Sequence, residues 1–349
     1  MKPITVRQLN DSLYLAYRFA GPSADLIVPA VALYLVALIG IVLNGTVLVV
    51  TVKSSSLRGS ANFLMARICL FELVHQIGHT FGSCHFGHKF VSLLTADLIM
   101  TPMIFALNCG LMAMFCAAFD RLFAVALPFK HSSIFTKYKL PYLLGHLIIC
   151  VTYGAFTLNY VLAYAFENAG NPTTSVVAET FLGPVGYKFF AGTFIISLGS
   201  ICCYVSIFVI IRCKNGVTQQ TNTRVLRSLV IILSINIGGY LINLAMYQLL
   251  YAFGSIMGPP IRAWQFGFIS GISLNAAAGS NAVILYFNST DYRRVFKKVF
   301  QSLKSYFGNK NAVQTIGTKD QVQNANPNNK MNITRLSQQI NVKVINLNR

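Results

Sequence analysis

The sequence predicts an all-α membrane protein: a seven-transmembrane helix bundle followed by a short amphipathic eighth helix. Of its 349 residues, 54% are hydrophobic and 11% are charged. Soluble domains average about 25% charged residues, so much of this surface is expected to face lipid. The apolar residues form continuous blocks long enough to cross a bilayer as helices of roughly 20 residues, and too long for the strands of a transmembrane barrel. The seven blocks run over residues 27–52, 62–82, 94–124, 140–165, 184–211, 226–252 and 263–287.

Positive charge is spread unevenly between the predicted loops of this chain, whose net charge is +19. The first, third and fifth loops and the segment after Tyr292 hold most of the Lys and Arg residues. The even-numbered loops hold little beyond Lys89, Lys188 and Arg262. Lys and Arg collect on the cytoplasmic side of membrane proteins, so we expect the N terminus to lie outside the cell. The basic charge then indicates topology and contact with membrane lipids, and no nucleic-acid partner is expected.

The chain divides into four predicted segments. Residues 1–26 form an extracellular N terminus, which lacks the apolar core of a cleavable signal peptide and holds a glycosylation triplet at Asn10. The seven spans and their loops fill residues 27–290. Residues 291–307 alternate apolar and basic faces at helical spacing, which is typical of an amphipathic helix on the inner leaflet. Residues 308–349 are rich in Asn, Gln and Lys and are expected to be a disordered cytoplasmic tail.

A charged pair, Asp120-Arg121, lies where the third span meets its basic loop. Charges near hydrocarbon are costly, so such a pair indicates a functional site. The stretch from Ala117 to Pro128 resembles the Asp/Glu-Arg-Tyr signature of rhodopsin-like G-protein-coupled receptors, with Leu122 in place of Tyr. The resemblance implies that Asp120 holds Arg121 at rest and releases it on activation to meet a G protein. The alternative is a pair that only anchors the helix end.

Other landmarks of these receptors follow in chain order. The stretch around Asn44 resembles the first-span Gly-Asn-x-x-Val motif, and Glu72 stands where the second span usually has Asp. Tyr204 resembles the Tyr of the fifth span. Asn281 and Tyr286 resemble the seventh-span Asn-Pro-x-x-Tyr motif, without its Pro and with one residue more between them.

Two shorter segments, 72–79 and 286–294, resemble more narrowly the nematode serpentine chemoreceptors of class sx, and the whole resemblance spans residues 27–303. It implies a chemosensory receptor of the plasma membrane, with the sensory cilium as one location. Such a receptor would bind a small, largely apolar ligand and signal through a heterotrimeric G protein. The residues implied in coupling and activation are Asp120, Arg121, Tyr204, Arg224, Arg227, Asn281 and Tyr286. Taken alone, each of the two Tyr residues is more typical of an aromatic belt at the membrane surface.

Asn44 and Glu72 form a predicted polar network inside the membrane. A carboxylate at this depth needs a cation, a proton or a polar partner. In the resembled receptors the matching carboxylate joins a network that holds sodium and water, so a sodium ion near Glu72 is the one cofactor considered. The alternative is a protonated Glu72 hydrogen-bonded to Asn44, and the sequence leaves both open.

Eleven positions in the outer halves of the spans are the predicted ligand-binding residues. They are Met103, Ile104, Leu107, Asn108, Lys188, Phe189, Tyr240, Leu241, Leu244, Phe268 and Ile272. Met103 stands where amine receptors carry Asp, which disfavours a monoamine ligand. Apolar walls with few polar groups suit a small ligand, although for any one residue helix-packing core is the stronger interpretation.

Enzymes and metal proteins are not favoured by the sequence. It has no nucleophile–base pair, phosphate-binding Gly loop or paired catalytic carboxylates, so we predict no enzyme. One cluster matches zinc or copper ligands in type but not in spacing, so no metal site is predicted. Its members are His75, His79, Cys84, His85 and His88.

The departures from the receptor pattern leave alternatives open. Ala96 stands where the third span usually has a Cys, and Cys84 has no external partner, so no intrachain disulfide is expected. Ile237-Gly238-Gly239 replaces the sixth-span Trp-x-Pro motif, although a Gly pair can also bend a helix. The alternatives are a neuropeptide receptor of the same fold, a non-signalling seven-span protein and a transporter.

Overall fold

The structure is a computed structural model that describes residues 6–84, 90–180, 184–213, 220–253, 259–301 and 305. The predicted tail over residues 308–349 lies outside the described residues.

Seven long helical segments pack side by side, as the sequence predicts. They are α2 (Ala24–Lys53), α3 (Ser60–Cys84), α4 (Leu93–Ala126), α6 (Lys139–Glu167), α8 (Pro184–Cys213), α9 (Gln220–Phe253), and α10 (Pro260–Gly279) with its continuation α11 (Asn281–Asn288). Six of the segments are long and apolar enough to cross a membrane. The other, α3, packs against α2 and α4 and buries Arg67, Glu72 and His75, which make it less apolar. The predicted seven-transmembrane helix bundle is confirmed.

Shorter elements lie at the two ends of the bundle. At one end are α1 (Val6–Tyr17), α7 (Val177–Thr180) and an antiparallel ribbon of β1 (Val91–Ser92) and β2 (Pro172–Thr173), in which Val91 lies opposite Thr173. We call this the ribbon end. At the opposite end are a 3-10 turn (Ser55–Leu57) and α5 (Pro128–Lys137).

A second helical stretch follows the last span. Residues 290–301 are helical and are separated from α11 by Ser289. This stretch overlaps the predicted amphipathic helix over 291–307. Its position on the inner leaflet stays a prediction.

Within the ribbon end, helix α1 packs against β2 and α10. Val6, Leu9, Leu13 and Tyr17 recur at three- and four-residue spacing, the pattern of a helix with one apolar face. Leu13 is only 1% exposed and joins a buried cluster with Leu33, Trp264 and Phe268. The predicted N-terminal segment over residues 1–26 therefore contains a helix that packs against the spans.

The last span is interrupted without a proline. The Ser280 N–H donates to the Ala277 carbonyl at 3.1 Å, a bond that tightens the end of α10. Gly279 packs against α2 so closely that a Cβ there would lie 3.2 Å from the Gly40 Cα. After this break Asn281 is fully buried inside the bundle.

Gly78 lets α3 approach α4. A Cβ at this position would lie 2.3 Å from the Met103 Cβ, which is closer than two non-bonded carbon atoms can come. Small residues permit such close helix packing in membrane proteins. The contact fixes Met103 at the wall of an internal cavity.

Candidate functional site

A cavity opens inside the half of the bundle nearer the ribbon end, between α2, α3, α4, α8, α9 and α10. Its volume is about 50 Å³, which is small beside the roughly 300–1,000 Å³ of typical small-ligand pockets. A ligand larger than a few water molecules would therefore have to displace side chains.

Six of the eleven predicted ligand-binding residues line this cavity. They are Met103, Leu107, Phe189, Tyr240, Leu244 and Phe268. Met103 and Leu107 stand four residues apart on α4, the spacing that places side chains on one helix face. The structure thus brings together the predicted positions from the third, fifth, sixth and seventh spans.

The other five predicted residues lie elsewhere. Ile104 and Asn108 are buried, and the Asn108 side chain donates to the Ile104 carbonyl at 2.8 Å. Lys188 is exposed, with its Nζ 4.1 Å from the centroid of the Tyr160 ring. Leu241 lines a separate groove, and Ile272 packs against the cluster that contains Leu13.

Two polar atoms in the cavity wall have no hydrogen-bond partner among the described residues: Asn275 Oδ1 and the Thr193 hydroxyl. Asn275 and Thr193 are 1% and 2% exposed. Asn275 Nδ2 lies 2.9 Å from the Gly271 carbonyl and 3.1 Å from His79 Nε2. Since a carbonyl only accepts, the amide nitrogen faces Gly271 and Oδ1 is left as a free acceptor. An unpaired buried polar atom costs about 1–3 kcal/mol, which a ligand group would recover by bonding to it.

Sequence reasoning missed this polar wall. His75, His79, Asn243 and Asn275 all line the cavity, whereas the sequence predicted few polar groups there. The signal was present, because His75 and His79 stand four residues apart on one face of α3. Their position relative to the third and seventh spans was not visible in the sequence.

Glu72 lies within reach of two groups in the cavity wall. Its Oε1 accepts from the Tyr240 hydroxyl at 3.2 Å, and its Oε2 lies 3.4 Å from His75 Nδ1. The Tyr240 hydroxyl also lies 3.3 Å from the Leu107 carbonyl. Glu72 on α3 is thereby linked to α9 through Tyr240, whose hydroxyl also lies close to α4.

Asn44 belongs to a different polar network from Glu72. Its side chain donates to Gln76 Oε1 at 3.0 Å and accepts from Asn281 Nδ2 at 3.1 Å. Asn281 in turn accepts from Asn236 Nδ2 at 2.7 Å. The considered hydrogen bond between Glu72 and Asn44 is not formed, because Gln76 occupies the place beside Asn44.

The groups around Glu72 do not fit a sodium ion. Hard cations are held by several oxygen ligands. Here the two carboxylate oxygens face the Tyr240 hydroxyl and the His75 ring, while Asn44 Oδ1 is taken by Asn281. Within the described residues no three His, Cys, Asp or Glu side chains are grouped as metal ligands either. His85 and His88 lie outside the described residues.

Asp120 and Arg121 lie at the opposite end of α4 from the ribbon. Asp120 is fully buried and accepts from the Arg121 guanidinium, from the Tyr142 hydroxyl at 2.6 Å and from His131 Nε2, which lies 3.0 Å away. Arg121 also donates to the Ser60 hydroxyl at 2.7 Å. One carboxylate thus joins α4 to α5 and α6, and Arg121 extends the link to α3.

The other predicted coupling residues do not bond to Arg121 in the described structure. The Tyr204 hydroxyl is buried and has no partner among the described residues. Tyr286 packs its ring against Phe287 and Phe296. Arg224 and Arg227 lie in α9. Their side chains, like that of Asn10 in α1, lie outside what the structure describes.

The segment after α6 is attached to the bundle by hydrogen bonds around Glu179. This carboxylate accepts from the Thr174 N–H at 3.0 Å and from Trp264 Nε1 at 2.9 Å, and it also bonds the Thr173 and Thr174 hydroxyls. Burial raises the pKa of the Glu179 carboxyl, and the hydrogen bonds from Thr173, Thr174 and Trp264 oppose the rise.

A second attachment joins this segment to α4. The Thr180 hydroxyl donates to Asp97 Oδ1 at 2.8 Å. Asp97 directly follows Ala96, the position at which the resembled receptors have a Cys. A hydrogen bond to a carboxylate here links the third span to the segment after α6, and the seven cysteines whose side chains the structure describes are free.

The comparison with known protein families agrees with this geometry. No curated protein matches the chain. The family described as serpentine type 7TM GPCR chemoreceptor Srsx matches residues 37–300, a stretch that includes most of the cavity wall and the Asp120-Arg121 pair. This confirms the resemblance to the nematode chemoreceptors of class sx. The chain belongs to the serpentine type 7TM GPCR chemoreceptor Srsx family.

Proposed function

We propose that this protein is a chemosensory receptor of the plasma membrane that binds a small, uncharged, largely apolar molecule and signals through a heterotrimeric G protein. One observation carries the proposal. Helix α4 lines the cavity with Met103 and Leu107 and also carries the Asp120–Arg121 pair, with Asp120 17 residues beyond Met103 and roughly 26 Å away from it at the rise of an α-helix.

The ligand's chemistry follows from the cavity wall. Phe189, Leu244 and Phe268 offer apolar surface, and Asn275 Oδ1 offers an acceptor without a partner among the described residues. A molecule with an apolar body and one hydrogen-bond donor, such as a medium-chain alcohol, satisfies both. A cavity of about 50 Å³ supports a small ligand over a neuropeptide.

The mechanism is a shift between two populated states. A ligand changes the balance only if it binds one state better than the other. Tyr240 lines the cavity and bonds Glu72, so a ligand that moves Tyr240 also moves α9 relative to α3. In the described state Asp120 holds Arg121. The active state would release Arg121 toward Tyr204 and the G protein, with Arg224 and Arg227 moving outward on α9.

The membrane orientation belongs to the same proposal. The excess of Lys and Arg in the odd-numbered loops supports placing the Asp120–Arg121 pair on the cytoplasmic side and the ribbon end outside. Asn10 would then be accessible for glycosylation. A transporter is less well supported, because the side chains of Glu72, Asn44 and Asn281 are each hydrogen-bonded to neighbouring side chains.

Arg121→Ala tests the coupling role. The variant should bind octanol as the wild type does, measured as a ligand-induced rise in melting temperature, but should lose nucleotide exchange on an added G protein. The reason is that the cavity is untouched while the guanidinium is removed. Arg58→Ala, which removes an exposed Arg outside the spans, is the matched control and should retain both. Full nucleotide exchange by Arg121→Ala would refute the coupling role.

A further inference from the structure

A second concave surface lies on the outer, lipid-facing side of α8 and α9. Its volume is about 480 Å³, far more than the internal cavity offers. Six side chains line this groove and not the internal cavity: Tyr187, Ala191, Phe194, Leu241, Ala245 and Gln248. Five of them are apolar or aromatic, so the groove suits an apolar molecule within the bilayer.

Two side chains, Phe190 and Leu244, line both the groove and the cavity. Phe190 is 9% exposed, and its ring centroid lies 5.1 Å from that of Tyr247, which lines the cavity. Single side chains therefore separate the two spaces. Buried rotamers of this kind change without unfolding the helix that carries them.

Hydrogen bonds at the ribbon end make entry through that surface less favourable than lateral entry through the groove. Val176 and Val177 form part of the cavity wall on that side. Their segment is attached to two helices, by Glu179 to Trp264 and by Thr180 to Asp97. Passage there would break hydrogen bonds to two buried carboxylates, whereas passage past Phe190 and Leu244 displaces only apolar side chains.

We propose that the groove between α8 and α9 is the portal through which the ligand, dissolved in the bilayer, passes Phe190 and Leu244 to reach the cavity. This rests on the proposed function, because it assumes that the cavity binds the ligand. The portal admits uncharged molecules with an apolar body, since a charge in this groove would have to leave water for hydrocarbon. Gln248 offers the polar group of such a molecule a hydrogen-bond partner before it crosses.

The test uses a diazirine analogue of octanol and the full-length receptor in lipid nanodiscs. The probe is added to the membrane, photolysed after increasing times, and located by mass spectrometry. Ala245→Trp fills the groove from α9, and Ala191→Trp fills it from α8. Each should slow labelling at Thr193 and Asn275 about tenfold, which corresponds to a barrier raised by about 1.4 kcal/mol, and leave the final extent unchanged. Phe190→Ala should accelerate labelling.

Ala155→Trp is the matched control, because Ala155 is an exposed Ala on α6 that lines neither space. It should label at the wild-type rate. If Ala245→Trp and Ala191→Trp also label the cavity at that rate, the portal is refuted and the ligand cavity stands. If the wild type is labelled in the groove but never in the cavity, the groove is a site for lipid-like molecules only. That result would overturn both the portal and the cavity as an octanol site.

Discussion

At the scale of single residues, the cavity wall contains two buried polar atoms that have no partner among the described residues. Thr193 could be replaced by an apolar residue without loss of any described hydrogen bond from its hydroxyl, and Asn275 Oδ1 accepts no described hydrogen bond. Keeping a buried polar atom unpaired lowers stability. Under the proposed function, a ligand that supplies the missing partner would offset this cost.

Thr193→Val tests this interpretation, since Val has nearly the same shape and lacks the hydroxyl. The free energy of unfolding should stay constant or rise by up to about 1 kcal/mol, because an unsatisfied group is removed. The stabilisation produced by octanol should fall. Thermal unfolding with and without octanol measures both.

Thr157→Val is the control for that substitution. The Thr157 hydroxyl on α6 donates to the Tyr153 carbonyl at 3.1 Å, so its removal deletes a bond that the protein makes. Thr157→Val should leave the octanol response intact. A clear loss of stability in Thr193→Val would show that its hydroxyl is paired after all.

At the scale of elements, the sequence predicted the long helices well. The block over residues 94–124 became α4 (Leu93–Ala126), and the block over 140–165 became α6 (Lys139–Glu167). Bilayer-length apolar blocks must be helical, because their backbone groups have no other partners in lipid. Helices α1 and α5 were missed because they are short and amphipathic, and only packing against the spans stabilises them.

The site was predictable where one helix face decided it. The positions of Met103 and Leu107 in the cavity wall could be predicted because both lie on one face of the outer half of the third span. Lys188 lies outside the cavity wall, since the rotation of α8 against α6 places its Nζ over the Tyr160 ring. His131 and Tyr142 were missed because their bonds to Asp120 arise only when α5 folds back beside α6.

Thr180→Val tests the attachment between α4 and the segment after α6. Asp97 Oδ2 already has no described partner. Losing the Thr180 hydroxyl therefore leaves the buried Asp97 carboxyl group without any described hydrogen bond. The segment over residues 172–180 should exchange its amide hydrogens faster, with the attachment weakened by about 1–3 kcal/mol. Thr180→Ser keeps the hydroxyl and should retain slow exchange. Equal exchange in Thr180→Val and the wild type would contradict the role of this bond.

At the scale of the whole molecule, the described state is one in which Asp120 gathers α4, α5 and α6 around itself. In the proposed mechanism Arg121 is released from Asp120, and we expect the bonds from Tyr142 and His131 to weaken with that release and so to favour the resting state. The Tyr142 hydroxyl supplies one of those bonds at 2.6 Å. Basal activity should therefore depend on a residue outside the Asp-Arg pair.

Tyr142→Phe should raise basal nucleotide exchange about fivefold, because a hydrogen bond worth about 1 kcal/mol is lost from the resting state alone. Tyr138→Phe, at an exposed Tyr that makes no described bond to Asp120, is the control and should match the wild type. Exchange without added ligand measures both. Wild-type basal exchange in Tyr142→Phe would mean that this bond is equally strong in both states.

The attachment between Asp97 and Thr180 is a hydrogen bond and contains no sulfur. Reducing agents therefore leave it intact, and it can form during biosynthesis without an oxidising compartment or a disulfide isomerase. Production of the receptor in reducing hosts or in cell-free lysates should consequently yield this part of the protein already assembled.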